Sequence, residues 1–315
     1  MRLLTRSDFD GLACGVLLKA AGLIESWKFV HPKDMQDGLV EIKPSDILCN
    51  VPYAEGCKMW FDHHSSEEER AEQANDSVLP YSNTGSNSEP VRIYKAAPSA
   101  ARLVYEYFGG DTKFTKYKDM INNADKVDSG RLTKDEIQNP QGWILIGFLL
   151  DPRTGLGRFR GFRLANFEFV DMLIQACVSS ELDEILKIPD VAERIEFYNK
   201  QTAKFKEMLL AHTEQKANVI VTDLRGVQPI HTGNRFLIYS LFPEANVSVW
   251  LVDGHSNQTL PIAVGHSILN RSCKTDIGSL MLRYGGGGHK QVGTCQVALE
   301  NADSIVSEIV SHLKD

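Results

Sequence analysis

The sequence predicts an α/β protein, with an N-terminal parallel sheet flanked by helices and a smaller C-terminal α+β domain. Three observations carry this. Short apolar runs alternate with helical or loop connections over the first 62 residues, a pattern of parallel sheets. Helical periodicity then dominates from about residue 99 to 212, and after Lys216 the chain turns to short β-rich segments broken by Gly, Pro and Asn. At 315 residues the chain is long for a single core. Two domains are expected, at 1–190 and 216–315, joined by a helix over 191–215.

Each element has its own justification. Residues 1–5 form the opening strand. Residues 11–22 are apolar nearly all round, which suits a helix packed on a sheet. Segments 27–31, 46–50 and 58–62 read as further strands. Residues 65–98 lack clear periodicity; the polar stretch 80–88 reads as a surface connection, with a lid as the sharper alternative. Helices are expected over 99–108, closed by Gly109 and Gly110, and over 117–127, 143–150 and 165–186. Pro189, where a first helical turn tolerates proline, opens another over 191–212. Strands follow at 218–223, 235–239, 246–251, 260–266 and 292–297. The last helix, 302–313, has Asn301 available as its N-cap.

Composition narrows the function. The net charge of −7 argues against a general sink for long polyanions, because nonspecific nucleic-acid affinity comes mainly from Lys and Arg. From residue 216 onward eight basic side chains balance eight acidic ones, so the acid excess lies earlier, and its Glu67-Glu68-Glu69 run reads as a solvated face. No apolar run reaches the ~18 residues that cross a bilayer, and no signal-peptide pattern is visible. A cytoplasmic protein without membrane contact is expected. The six cysteines form no disulfide-like pattern, so buried, reduced thiols are the default. A zinc site from Cys49, Cys57, His63 and His64 is the weaker alternative.

Chemistry concentrates at two strand ends. Ser7-Asp8-Phe9-Asp10-Gly11 follows the first strand, and Asp62-His63-His64 follows the strand at 58–62. Ligands bind beyond the carboxyl ends of strands in an open α/β sheet, so these groups can share one crevice. Carboxylates with an imidazole suit Mn²⁺ or Mg²⁺, the nitrogen tilting the choice to Mn²⁺. Such an ion lowers the pKa of water and screens a phosphate's charge. The blander reading makes Asp8 and Asp10 turn and N-cap residues.

These pieces resemble the DHH phosphoesterase superfamily with its DHH-associated C-terminal domain, exopolyphosphatase-like proteins above all. The matching segments are 5–11, 46–50, Asp62-His63-His64, 124–130 and the late Gly285-Gly286-Gly287-Gly288-His289, in order and spacing, across nearly the whole chain. The resemblance implies metal-dependent cleavage of phosphodiester or phosphoanhydride bonds in a short substrate: an oligonucleotide, a cyclic dinucleotide or polyphosphate. By position it implies Asp8, Asp10, His63 and His64 as catalytic residues and Asp8, Asp10, Asp62, His63, Asp125 and Asp128 as candidate metal ligands, with Asp125 preferred to Asp128 for the fourth motif. Two departures stand out. Many relatives carry His where this chain has Arg6, and a bridging Asp where it has Asn50; Arg cannot bind a metal and Asn bridges two dications poorly. The expectation is that Arg6 replaces a second metal's charge and clamps phosphate.

Substrate binding is expected from Arg6, Asn50 and His64, and in the C-terminal domain from Arg235, His266, Arg271, Gly286, Gly287, Gly288 and His289. Glycine lets backbone N–H groups approach an anion, although a plain hairpin turn uses glycines equally well. His31 is a weaker candidate ligand. The partner is a short phosphate-containing substrate, with short nucleic acid favoured, and a homodimer has room to form. The principal alternative is an inactive phosphate- or nucleotide-binding sensor.

Overall fold

A computed structural model describes residues 1–64, 67, 82–83, 90–254 and 258–314. They form two compact units, the first comprising 1–131, 140–152 and 156–196, the second 132–139, 153–155 and 197 onward. The first unit begins β1 (Arg2–Thr5), α1 (Phe9–Ala20), β2 (Ser26–Phe29), α2 (Pro32–Gln36), β3 (Asp46–Cys49), β4 (Met59–Asp62), β5 (Ser82–Asn83) and β6 (Val91–Tyr94). Its strand order is β2-β1-β3-β4-β6-β5, all parallel except β5. The order reverses at β1, so the carboxyl ends of β1 and β3 frame a topological switch point, where such sheets bind ligands. Leu3, Leu4, Ile47, Leu48 and Cys49 are wholly buried, as strands covered on both faces require.

Helices α3 (Ala100–Tyr107), α4 (Gly110–Phe114) and α5 (Lys118–Asp128) follow, then α6 (Lys134–Gln138), α7 (Gly142–Leu150), α8 (Asn166–Ser179), α9 (Leu182–Ile185) and α10 (Pro189–Ala211). The all-round apolar character of α1 is explained by its neighbours, because α3, α5 and α8 pack on it as well as the sheet. A Cβ on Gly15 of α1 would lie 2.9 Å from the Ile174 Cδ1, so that side chain would have to shift to admit one.

The second unit holds α6 and the sheet β11-β12-β10-β9-β8-β7. Its elements are β7 (Thr213–Lys216), β8 (Val219–Asp223), α11 (Leu237–Leu241), β9 (Val247–Leu251), β10 (Thr259–His266), α12 (Ile277–Leu282), β11 (Gly287–His289), β12 (Val292–Ala298) and α13 (Ala302–Leu313). Only β8 and β9 pair in parallel. Alternate residues of β12 are buried, a strand with one face on the core formed with α12 and α13.

The α/β class with its smaller C-terminal sheet domain is as expected, but several details differ. The two units divide inside α10, between Glu196 and Phe197, rather than at either end of a separate linker helix. Residues 132–139 and 153–155 join the second unit because Asn234 Nδ2 donates to the Ile137 carbonyl (3.2 Å) and the Gly233 N–H to that of Thr154 (3.0 Å). The helix expected over 165–186 breaks at Ser180, whose backbone is extended, and restarts where the Glu184 carboxylate accepts the Glu181 N–H.

Segment 235–239 is not a strand. Asn234 accepts the Phe236 N–H (2.9 Å) and α11 begins; a continuous apolar run reads alike as buried helix or buried strand. Asn301 stands at the N-cap of α13 but makes no side-chain cap bond. Glu67 is buried, its Oε2 accepting the Tyr53 N–H, not part of a solvated face. Residues 68–69 and, apart from β5, the expected 80–88 loop lie outside the described residues. All six cysteines are free and buried. Among the described residues no helix is long and apolar enough to cross a membrane.

Candidate metal centre and phosphate site

The turn after β1 is set by Gly11, where a Cβ would lie 2.0 Å from the Arg6 carbonyl oxygen. Only glycine permits so tight a return. Asp8 caps α1, its Oδ1 accepting the Gly11 N–H at 3.0 Å. The same Oδ1 accepts from Asn50 Nδ2 at 2.9 Å, and Oδ2 lies 3.0 Å from Arg6 Nε. Asn50 follows β3 with φ 59°, a left-handed conformation in which asparagine is among the better-tolerated side chains. Asp10 is buried in the first turn of α1. Its two oxygens accept the N–H groups of Ala100 (2.9 Å) and Ala101 (2.7 Å), orphan donors at the N-terminus of α3.

Asp62 closes β4, and its Oδ1 accepts the His63 N–H (2.8 Å) and a bond from His64 Nδ1 (2.7 Å). His63 Nδ1 lies 3.0 Å from the Ala97 carbonyl, which only accepts, so that nitrogen carries the proton. Its Nε2 faces Asp128 Oδ2 at 3.2 Å and Asp10 Oδ2 at 3.6 Å, buried and without a hydrogen-bond partner.

The electrostatics of this arrangement are unfavourable by themselves. Burial raises the Asp10 carboxyl well above the usual range, reinforced by Asp128 and Asp8 against the two N–H groups of α3. Asp128 is pushed up as well, by desolvation in the crevice and by Asp8, with His63, His64 and Arg6 opposing. For His64, burial disfavours the cation, but the Asp62 bond and charge and the Asp128 charge prevail, raising it to about 9.

Of the six candidate ligands, the structure gathers Asp10, His63 and Asp128 with donor atoms within 4.8 Å of one another. Asp62 with His63 and His64 forms a second such group, but both Nδ1 atoms there are held by hydrogen bonds. Asp62 orients His64 instead. The preference for Asp125 is corrected: it accepts from Ser99 Oγ (2.6 Å) and Arg102 Nε (2.8 Å), while Asp128, nearly one turn later on α5, reaches His63. Asp8 is an N-cap and ion-pair partner. His31 is exposed and caps α2 through Nδ1, accepting the Lys33 N–H, so it is a structural residue. Neither candidate metal group contains a cysteine, leaving the zinc alternative without support among the described residues. The Ala97 carbonyl and the Ala100 and Ala101 N–H groups escaped the sequence reading, since backbone groups leave no residue-type signal.

In the second unit the glycine box is shaped by packing. A Cβ on Gly286 would lie 2.1 Å from the Thr294 carbonyl oxygen, and one on Gly288 2.2 Å from that of Val292. The Gly286 N–H bonds the Met281 carbonyl (3.0 Å), which removes it as an anion donor. Gly287 has open space at its Cβ position and His289 is exposed. His266 Nε2 donates to the Thr275 carbonyl, Arg271 Nε to that of Ile268, and the Arg235 guanidinium stacks on Phe236 at 3.9 Å. Each of these has a structural contact.

No protein-family model and no curated protein matches the chain. Among solved structures it is 42% identical to the pGpG-specific phosphodiesterase PggH from Vibrio cholerae, with a TM-score of 0.85, covering 99% of this chain and 98% of that one. The chain belongs to the DHH phosphoesterase superfamily. RecJ from Thermus thermophilus, in complex with Mn²⁺, is similar in fold at 12% identity and a TM-score of 0.54, covering 99% of this chain and 51% of that one. As a member of that superfamily the chain is a phosphoesterase. The divalent metal of such enzymes fits this site: a buried imidazole nitrogen without a hydrogen-bond partner and two carboxylates converge on one point, and a cation gives all three a partner.

Proposed function

We propose that this DHH phosphoesterase hydrolyses a short linear dinucleotide, with pGpG the first substrate to test, using a divalent ion held by Asp10, His63 and Asp128. The observation that carries the reading is the buried Nε2 of His63, aimed between two carboxylates with its other nitrogen locked by the Ala97 carbonyl. When bound, the ion lowers the pKa of water and neutralises phosphate charge, and the nitrogen in the donor set favours Mn²⁺. Asp10 and His63 cannot swing away, because α3 and Ala97 hold them. Arg6, beside Asp8, orients a non-bridging phosphate oxygen. His64, kept cationic by Asp62, is poised as the acid that protonates the leaving oxygen.

A nucleotide is favoured over polyphosphate by a cavity of about 260 Å³ that includes Ser7, next to Arg6 and Asp8. Leu149, Leu150, Phe169 and Val170 give it apolar walls, and the buried Asp151 adds a carboxylate. Apolar walls with one or two polar groups are what a base requires, and a carboxylate suits one that presents N–H donors. The identity to PggH supports the same substrate class. The test is product analysis with Mn²⁺ on pGpG, other dinucleotides, cyclic dinucleotides, pyrophosphate and polyphosphate. Mononucleotides released from pGpG, and lost in Asp10→Ala and His63→Ala, are expected; activity surviving both substitutions overturns the assignment.

A further inference from the structure

The acids around the crevice divide by what neutralises them. Asp8 accepts hydrogen bonds from the Gly11 N–H and Asn50 Nδ2 and is ion-paired with the Arg6 guanidinium. Asp125 is held by Arg102 and Ser99, and Asp62 by His63 N–H and His64. Asp10 and Asp128 remain. Asp10 accepts only from uncharged donors, two N–H groups and the Cys14 thiol (4.0 Å), and these two acids face a single imidazole nitrogen, His63 Nε2. Two carboxylates and one imidazole nitrogen match the donor set of a single dication. A second would have to displace Arg6 from Asp8 and would meet an amide at Asn50, and stripping a carboxylate of a guanidinium partner is costly in a part-buried site.

Arg6 adds a second, independent observation. Its Nε is committed to Asp8, while its two Nη groups meet no protein acceptor among the described residues. A guanidinium fixed at one nitrogen and open at the others presents the fork that fits two phosphate oxygens. Asn50 sits in its left-handed conformation with Nδ2 on Asp8 and Oδ1 buried without a partner, strain consistent with a role in the site.

We infer that the centre holds one divalent ion, and that Asp8 is not a metal ligand but, with Asn50, a positioning residue that fixes Arg6 as a permanent cation for the substrate phosphate. This rests on the ion site proposed above, yet its readout needs no substrate. Purified full-length chain is equilibrated with Mn²⁺ and counted by equilibrium dialysis and elemental analysis, with EPR to detect coupling between ions. One tightly held ion per chain and an uncoupled spectrum are expected. Asp128→Ala should lose it and Asp8→Asn should keep it.

The double substitution Arg6→His with Asn50→Asp supplies two ligands where a cation and an amide stood. It should take up a second ion and show a coupled Mn²⁺ pair. Two tight ions in the unaltered chain, or loss of the only ion from a folded Asp8→Asn, overturns the inference; if Asp8→Asn fails to fold, the count on the unaltered chain decides. The positioning role is read on pGpG as a rise in KM of about tenfold for Asp8→Asn, with partial recovery of KM in Asp8→Glu; unchanged KM in folded Asp8→Asn refutes it. A chain that binds one ion and leaves pGpG intact fails the function proposal and not this one.

Discussion

The crevice at the ends of β1, β3 and β4 and the glycine-rich segment at β11 both look like phosphate sites in the sequence, yet they differ in what their polar atoms are doing. In the crevice, buried atoms are left over: His63 Nε2 and Asn50 Oδ1 have no hydrogen-bond partner, and Asp10 sits far above its usual titration range. At β11 the glycines answer a packing demand. Gly286 and Gly288 are small because β12 runs against them, and the Gly286 N–H closes the end of α12. Buried polar groups left unsatisfied are rare in folded proteins, so they separate a site kept for a ligand from a segment built for its fold.

The sharpest way to break this comparison is to remove one member of each region. Asp128→Ala and His63→Ala should each lower kcat by on the order of 10³-fold, and Asp128→Ala should do so with little loss of folding stability, because it deletes a carboxylate whose repulsion with Asp10 and Asp8 the apo-protein carries. A Tm unchanged or raised without metal, together with loss of the Mn²⁺-induced rise in Tm, is the measurement. Gly286→Ala should do the reverse. Its Cβ meets backbone at 2.1 Å, so a loss of about 3 kcal/mol in denaturant unfolding is expected, with the Mn²⁺ count intact where the chain folds. A Gly286→Ala protein of ordinary stability that no longer binds substrate would give the glycine box back to ligand binding.

Asp125 and Asp128 repeat the contrast within one helix. Asp125→Ala removes the partner of Arg102 and Ser99 and should destabilise by about 2 kcal/mol while keeping the ion; loss of the ion instead would restore Asp125 as a ligand. The pair also shows where legibility stops. The sheet, the helix after Gly11 and the convergence of Asp10 with His63 follow from apolar runs and from which residues end each strand, and these features lie in sequence order. Choosing between two acids three positions apart needs the rotation of α5 about its axis. That rotation is set by Met120, Ile121 and Ala124 packing into the core, a tertiary fact. Segment 235–239 differs for the same reason: the buried apolar run 236–239 has no periodicity to show whether it coils or extends.

The base cavity sharpens the comparison at smaller scale. Asp151→Asn keeps shape but turns half of an acceptor pair into a donor, so KM for pGpG should rise about tenfold with kcat changed less, and KM for an adenine dinucleotide should change little. Equal effects on both would make Asp151 a structural residue.

The smallest expected effect concerns His64. Its folded-state pKa of about 9 lies above the ordinary value of 6.5, so protonation and folding favour each other. The stability this gives is fully present below about pH 6.5, declines between there and about 9, and is absent above. His64→Gln should therefore show its greatest stability deficit in mildly acidic solution and match the parent above pH 9, measured by urea unfolding in metal-free buffer. Asp62→Asn should bring the His64 imidazole midpoint, followed by NMR, down toward 6.5 or below, since the bond and charge that offset burial are then gone. A His64 midpoint near 6.5 in the parent would mean that Asp62 serves the backbone N–H of His63 alone, and the acid that protonates the leaving oxygen would have to be sought elsewhere in the crevice.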